Sequence, residues 1–193
     1  MPGRFLEHSW VNAAEVPRFY PNAVTLKDGD ADRAEQLAAI EILKSSNLPG
    51  RWAVKDSFDA LDALGRRGFD VLLEAAWIRN VMPLQGPASD ITWTRAAKGP
   101  VDDQNFAMFE GRRGFLLVAG GMLYRSDGVV GLSNVVADAA DAVSVFRALA
   151  VLAARTFPMT PLVGYESGEE LKAALDAGFE LGDPLKVWVR ARD

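Results

Sequence analysis

The sequence predicts an α/β protein of the α+β type, with one mixed central sheet and helices on both of its faces. Three observations predict it. Apolar runs suited to strands alternate with stretches of helical period along the chain. Asp127-Gly128 stands between two apolar runs, a strong signal for an antiparallel hairpin. Two later helical stretches each lie between strands, as crossover connections do.

The 193 residues suit a single domain spanning 1–193, with 1–21 as an extended lead-in. Pro17 and Pro21 break any helix there. Asn22 to Lys27 is a short strand. Asp32 to Lys44 is a helix, with Ala34, Leu37, Ile40 and Leu43 on one side. Asp30 or Asp32 would cap it, and Asn47, Pro49 and Gly50 end it. Ser57 is read as the cap of a second helix, with Phe58, Leu61 and Leu64 inward and Gly65 or Gly68 closing it. Phe69 to Arg79 suits a central strand. Asn80 to Asp90 holds two prolines and a glycine and reads as a loop. Ile91 to Arg95 is a strand, while 98–114 shows no clear period.

Phe115 to Arg125 and Val129 to Val136 are the two strands of the hairpin. The clearest helix follows, with Val143, Phe146, Leu149, Ala150 and Ala153 on one side. Pro158 and Pro161 stop it. Leu162 to Tyr165 is a short strand. Ser167-Gly168-Glu169-Glu170 matches a capping box. The helix it opens turns Leu171, Ala174 and Leu175 inward. Gly178 is its left-handed cap, with Phe179 packing back. Val187 to Val189 belongs to a last strand.

Composition narrows the chemistry. Apolar residues make up 49% and charged residues 24%, the balance of an ordinary globular protein. The absence of cysteine excludes disulfides, thiolate metal sites and cysteine nucleophiles. One histidine, His8, argues against a Ser-His-Asp triad or a multi-histidine metal site. His8 itself is expected at the surface. A net charge of −5 argues against a broad nucleic-acid surface. The start lacks the apolar run of a signal peptide, and no apolar stretch is long enough to span a membrane. A cytoplasmic protein is expected. A homo-oligomer is left open.

Residues 128–192 resemble the GNAT superfamily of N-acyltransferases. GVVGLSNVV resembles its central strand, and DAVSVFRALAVLAARTF its long cofactor-side helix. PLVGY resembles the next strand. EELKAALDAGFELGDPLKVWVR resembles the family's ending, where a helix closes on Gly-Phe before a final strand. The resemblance implies transfer of an acyl group from acetyl-CoA or another acyl-CoA, as co-substrate, to a small-molecule amine or a peptide. It also implies that two strands splay to admit the pantetheine arm, with pyrophosphate on the N–H groups at the start of the long helix. Carried onto this sequence, the cofactor contacts fall on Ser133, Asn134, Val135, Val136, Ala139 and Ala140.

Two departures stand beside it. The phosphate loop of the family is basic and glycine-rich, whereas Val136-Ala137-Asp138-Ala139-Ala140-Asp141 has no glycine and no basic residue. Its aspartates would oppose phosphate by roughly 1 kcal/mol per charge. Alternatively, Asp138 or Asp141 caps the helix. The family's general-acid tyrosine is replaced by Ala174. Tyr165 is the nearest phenol, and would serve as acid if its hydroxyl reached the leaving thiolate; otherwise it is a packed strand-end tyrosine. Glu74, inside VLLEAAWI, is the candidate base, by desolvation. The alternatives are a wet strand face or a pair with Arg79. Glu166 is a second carboxylate, expected to be exposed.

Ser133 and Asn134 would either face the acyl group or bond to each other within the sheet. Trp77 and Trp93 would line an aromatic pocket, or Trp77 and Trp188 would be core. Trp10 and Trp52 would pin the N-terminal segment. Arg66-Arg67 or Arg112-Arg113 would meet an anion, or would be solvated surface. Three functions remain: an acyl-CoA-dependent N-acyltransferase; a non-catalytic GNAT-like ligand-binding or assembly domain that has lost acyl-CoA; and, ranked last because the acidic loop fits an acidic carrier poorly, an acyltransferase with another donor such as an acyl carrier protein or aminoacyl-tRNA.

Overall fold

The structure is a computed structural model, and describes residues 3–16, 20–46, 48, 50–81, 89–97 and 103–190. The readings placed on Pro17, Asn47, Pro49, most of the 80–90 loop and 98–102 lie outside the described residues. The chain forms two compact units. One comprises Met1–Ala75 and Asp183–Asp193, the other Ala76–Gly182.

In the first unit, β1 (Arg4–Phe5), β2 (Ser9–Val11), β3 (Ala23–Thr25) and β4 (Ala53–Asp56) lie in that order. The β3–β4 pair is parallel, while β1–β2 and β2–β3 are antiparallel. Part of the lead-in is thus paired strand. Helix α1 (Asp30–Ser45) buries Gln36, Ile40 and Leu43. Ala34, expected inward, is exposed. The stripe is displaced because Gln36 points in, where its Nε2 donates to the carbonyls of His8 (3.0 Å) and Lys27 (2.8 Å). Neither Asp30 nor Asp32 caps α1. Gly29 is the cap residue, and both aspartates sit in the first turn, where the helix dipole favours them. Asp32 instead meets half-buried His8, Nδ1 to Oδ1 at 2.5 Å, so His8 is no plain surface residue.

The helix expected from Ser57 is a 3-10 turn, Asp62–Arg67. Buried Asp56 takes the amides of Ala60 and Leu61 on its Oδ2, at 2.9 and 2.8 Å. Asp59 is left-handed, with φ 50°. An α-helix cannot run through either feature. Leu61 and Leu64 are buried as expected, in a core with Ile40, Trp52, Val54, Phe69 and Trp188. Trp52 meets Phe69 edge-on at 5.1 Å.

The second unit holds a sheet in the order β5-β10-β9-β8-β7-β6. Strand β5 (Phe69–Asn80) enters it at Ala76. It is followed by β6 (Thr92–Arg95), β7 (Phe106–Arg113), β8 (Leu116–Ser126), β9 (Val129–Ala137), α2 (Ala142–Thr156), β10 (Leu162–Glu166) and α3 (Gly168–Ala177). Strand β11 (Glu180–Arg190) leaves after Gly182, and pairs antiparallel with β4 through Lys186–Val189. The β8–β9 hairpin turns on Asp127 (φ 48°) and Gly128 (φ 82°), the two left-handed residues of a type I′ turn. Strand β7 occupies the stretch without a visible period. Its inward residues are Ala107, Phe109 and Gly111, and its outward ones include Phe106 and Met108. With apolar residues on both faces, the alternation disappears from the sequence.

Helices α2 and α3 lie side by side over one sheet face and share its core. Ala173, Ala174 and Ala177 form the buried side of α3, and small residues permit this close approach. Ser167 is the cap residue, but its side chain makes no capping bond, so the expected capping box is not formed. Gly178 is left-handed, and the Phe179 amide reaches the Ala174 carbonyl at 3.1 Å. Phe179 then meets Phe146 edge-on at 5.8 Å. Gly121 of β8 faces α2 so closely that an added Cβ would sit 2.7 Å from Leu149 Cδ1. Gly121→Val should therefore cost about 1–3 kcal/mol of unfolding free energy by overpacking. Urea denaturation would measure it, and an unchanged midpoint would contradict this packing.

Candidate functional site

The site begins with a ladder that stops. Strand β10 pairs with β5 along its whole length, from Leu162–Asn80 to Glu166–Ala76. With β9 it pairs, in parallel, only at Leu162–Val130 and Val163–Gly131. Gly164 stands at the fork, where an added Cβ would lie 3.2 Å from the Leu132 carbonyl oxygen. Beyond it β9 and β10 part, and their carboxyl ends flank an opening, the place where parallel strands present ligand sites.

A bulge shapes the β9 side. Gly120 pairs with Val136 and Met122 with Ser133, so two residues of β9 face one of β8. Asn134 takes the left-handed conformation there, with φ 52°, which asparagine tolerates better than most residues. The extra residue inverts the alternation. Val130 and Leu132 are buried toward the helices, and after the bulge it is Val135 and Ala137 that pack against that core. Val136 is left 63% exposed. Ser133 and Asn134 are both exposed. Asn134 Nδ2 lies 3.4 Å from both Ser133 Oγ and Met122 Sδ. Asn134 thus donates to Ser133 as one alternative expected, but the bulge turns the pair outward to solvent.

Between the end of β9, the start of α2 and α3 lies a cleft of about 470 Å³. Val135, Val136, Ala139 and Val143 line it, with Phe146 among its apolar residues. Of the six residues named as cofactor contacts, Val135, Val136 and Ala139 line this cleft; Ser133, Asn134 and Ala140 do not. Ala174 is fully buried under α3, so that position presents no side chain to the cleft. Glu169, Glu170 and Asp176 add three carboxylates to the lining, against one cation, Lys172.

The acidic loop has a partner that sequence reading missed. Asp141 is the cap residue of α2, but its carboxylate caps nothing. Instead Arg113 of β7 donates from Nη2 to both its oxygens at 3.0 Å. The same guanidinium grips Asp90 through Nε (2.6 Å) and Nη2 (3.0 Å), which holds the Asp90 carboxyl below its ordinary range. Arg113 is thus committed to internal carboxylates. Arg112 pairs with Glu110 at 2.9 Å. The pairing registers of β6, β7 and β8 bring these groups together, and spacing along the chain carries no trace of it.

Glu166, the last residue of β10, is half-buried rather than exposed. Burial, and secondarily the charge of Glu170, raises its pKa to about 7. Tyr165 points to the opposite face of β10, by strand alternation, with its ring edge-on to Trp77 at 5.7 Å. Glu74 belongs to the first unit and is exposed, which removes the desolvation expected for it. Arg79 lies five residues on, at odd spacing and so on the other strand face, and pairs with Glu180 at 2.7 Å. Trp77 and Trp93 are half-buried, while Trp188 is core.

No protein-family model matches the chain, and no curated protein is significantly similar to it. Solved structures are similar in fold. A GCN5-related N-acetyltransferase from Kribbella flavida superposes with a TM-score of 0.62 at 13% identity, over 89% of this chain and 81% of its own. One from Sphaerobacter thermophilus gives 0.59 at 10% identity, over 86% and 71%. A tandem GNAT protein from the clavulanic acid biosynthesis pathway, solved without AcCoA, gives 0.54 at 10% identity, over 92% and 78%. The chain therefore has the GNAT fold, as the closing third of the sequence implied. Among the described residues no helix is long and apolar enough to cross a membrane.

The Glu166 environment has a stability consequence. The folded state holds this proton more tightly than the unfolded chain, whose carboxyl titrates near 4.5. The stabilisation is complete below pH 4.5 and lost as pH rises through about 7. Relative to Glu166→Gln, the wild-type unfolding free energy should fall by about 1–2 kcal/mol between pH 5 and 8, solvent screening included. Parallel pH profiles for the two proteins in urea titrations would contradict it.

Proposed function

We propose that the second unit is an N-acyltransferase, taking an acyl thioester into the β9–β10 opening and passing its acyl group to an amine. The observation that carries this reading is the ladder of only two pairs between β9 and β10, beside a cleft between the end of β9 and the start of α2. A sheet interrupted in its middle leaves backbone groups without ladder partners, and such groups need others. An amide-bearing pantetheine arm can supply them. Acetyl-CoA or another acyl-CoA is the donor proposed. The apolar, strand-walled part of the cleft suits its thioester end. The phosphate end meets carboxylates instead of a basic glycine loop.

The chemistry asked of the residues is modest. The amine nitrogen attacks the thioester carbonyl carbon, the C–N bond forms and the C–S bond breaks. One nitrogen proton passes to the Glu166 carboxylate, directly or through a water, and the thiolate takes a proton from solvent. With a pKa of about 7, Glu166 suits a base at neutral pH. Activity would then rise with pH through that value. Positioning of the two reactants supplies the rest.

The carboxylates around the cleft favour a second reading, a GNAT-fold binding domain that no longer takes acyl-CoA. Calorimetry with acetyl-, succinyl- and longer acyl-CoA separates the two. The acyltransferase reading expects weak binding that tightens as salt screens like charge. Glu169→Gln and Glu170→Gln should each improve affinity by about fivefold, since each removes roughly 1 kcal/mol of repulsion. No binding by any donor, at low or high salt, would leave the binding-domain reading.

A further inference from the structure

A second cavity of about 410 Å³ lies over β7, β8 and the bulged end of β9. It occupies the sheet face away from α2. Gly121 faces Leu149 of that helix, so its neighbours Gly120 and Met122 point the other way. Gly120 leaves a floor without a side chain. Met108 and Met122, paired across the strands, form one wall, and Leu117 and Val136 another. Leu117 is 58% exposed and Val136 63% exposed, so apolar surface is presented to solvent. Thioether side chains adapt to varied apolar shapes. Among the described residues lining this groove, the charged ones are two carboxylates, Glu110 and Asp138. Glu110 is engaged with Arg112. Asp138 directly follows β9, at the carboxyl end that flanks the opening.

We propose that this groove binds a primary amine carried on an apolar body, an arylalkyl or alkyl amine, with its ammonium group at Asp138. The apolar walls take the body, and the carboxylates select a cation over a neutral or anionic group. The groove and the cleft share Val136 and Ala137, so an amine seated here ends beside the strand that walls the thioester site. As the acceptor site, the proposal rests on the acyltransferase reading; as a binding site, it stands without it.

The test is a titration of the protein with phenethylamine, with no acyl donor, followed by methionine-methyl NMR. The Met108 and Met122 methyl signals should move saturably. The Asp138→Asn, Glu110→Gln variant should bind about fivefold more weakly or worse, and its unchanged spectrum outside the groove would report an intact fold. 2-Phenylethanol and 3-phenylpropionate, which lack the cation, should bind more weakly by a similar factor, as should spermidine, which lacks the apolar body. Absence of shifts with phenethylamine overturns the proposal, and so does equal binding by the phenyl compounds or tighter binding of spermidine. Amine binding with no turnover from any acyl-CoA would refute the acyltransferase reading and leave the groove. Turnover of amines that do not move these methyls would refute the groove alone.

Discussion

Strand β10 has neighbours on both sides but is fully hydrogen-bonded to only one of them. A sheet normally closes such a gap, because each unpaired buried amide or carbonyl costs free energy. Here a local feature opposes closure. The left-handed Asn134 bends β9 through its bulge, and bulges strengthen twist and end regular pairing. Gly164 lets β10 pass close to the Leu132 carbonyl at the fork. Beneath the fork, Phe146 and Phe179 pack edge-on, and the alanine face of α3 lets it lie against α2.

That opening sets the electrostatics around it. Parallel strands bring their carboxyl ends to one edge, so the residues after β9 and β10 gather there. In this chain those residues are acidic: Asp138 and Asp141 on one side, Glu166, Glu169 and Glu170 on the other. Arg113 offsets part of this charge by gripping Asp141 with Asp90. Glu166 responds to its own burial, and secondarily to the charge of Glu170, by holding its proton to about pH 7. A single arrangement of strands therefore yields a cleft lined by carboxylates and a carboxyl group able to exchange protons near neutrality.

Much of this was legible from residues alone, and the reasons are specific. The α2 stripe, the Asp127-Gly128 hairpin and the Gly178-Phe179 ending all rest on contacts within a few positions of one another, which sequence displays directly. The expected splay between β9 and β10 also appears. Strand β7 was hidden because Phe106 and Met108 on its outer face match the inner face in hydropathy. The 3-10 turn was hidden because Asp56 captures two amides that an α-helix would need. The Arg113 clamp was out of reach, since Asp90 and Asp141 lie 23 and 28 residues away in sequence. Glu166 was placed at the surface because it precedes a helix start. It is half-buried as the last residue of β10, paired with Ala76 of β5.

One signal for the bulge was nevertheless present. In Val129–Ala137 the inward apolar positions run Val130 and Leu132, then Val135 and Ala137. A strict two-residue period would have continued to Asn134 and Val136. The slip of one residue, with asparagine at the slip, is what a bulge writes into a sequence. Its structural result is an exchange of faces: Val135 packs with the core beside the cleft, while Val136, 63% exposed, turns out to border both the cleft and the methionine-lined groove. Were β9 regular, Val136 would point into the core and Val135 would stand at the groove in its place. The bulge therefore does more than widen the opening. It decides which residues of the strand meet each side, and the cleft and the groove, which share Val136 and Ala137, meet across a single layer of backbone.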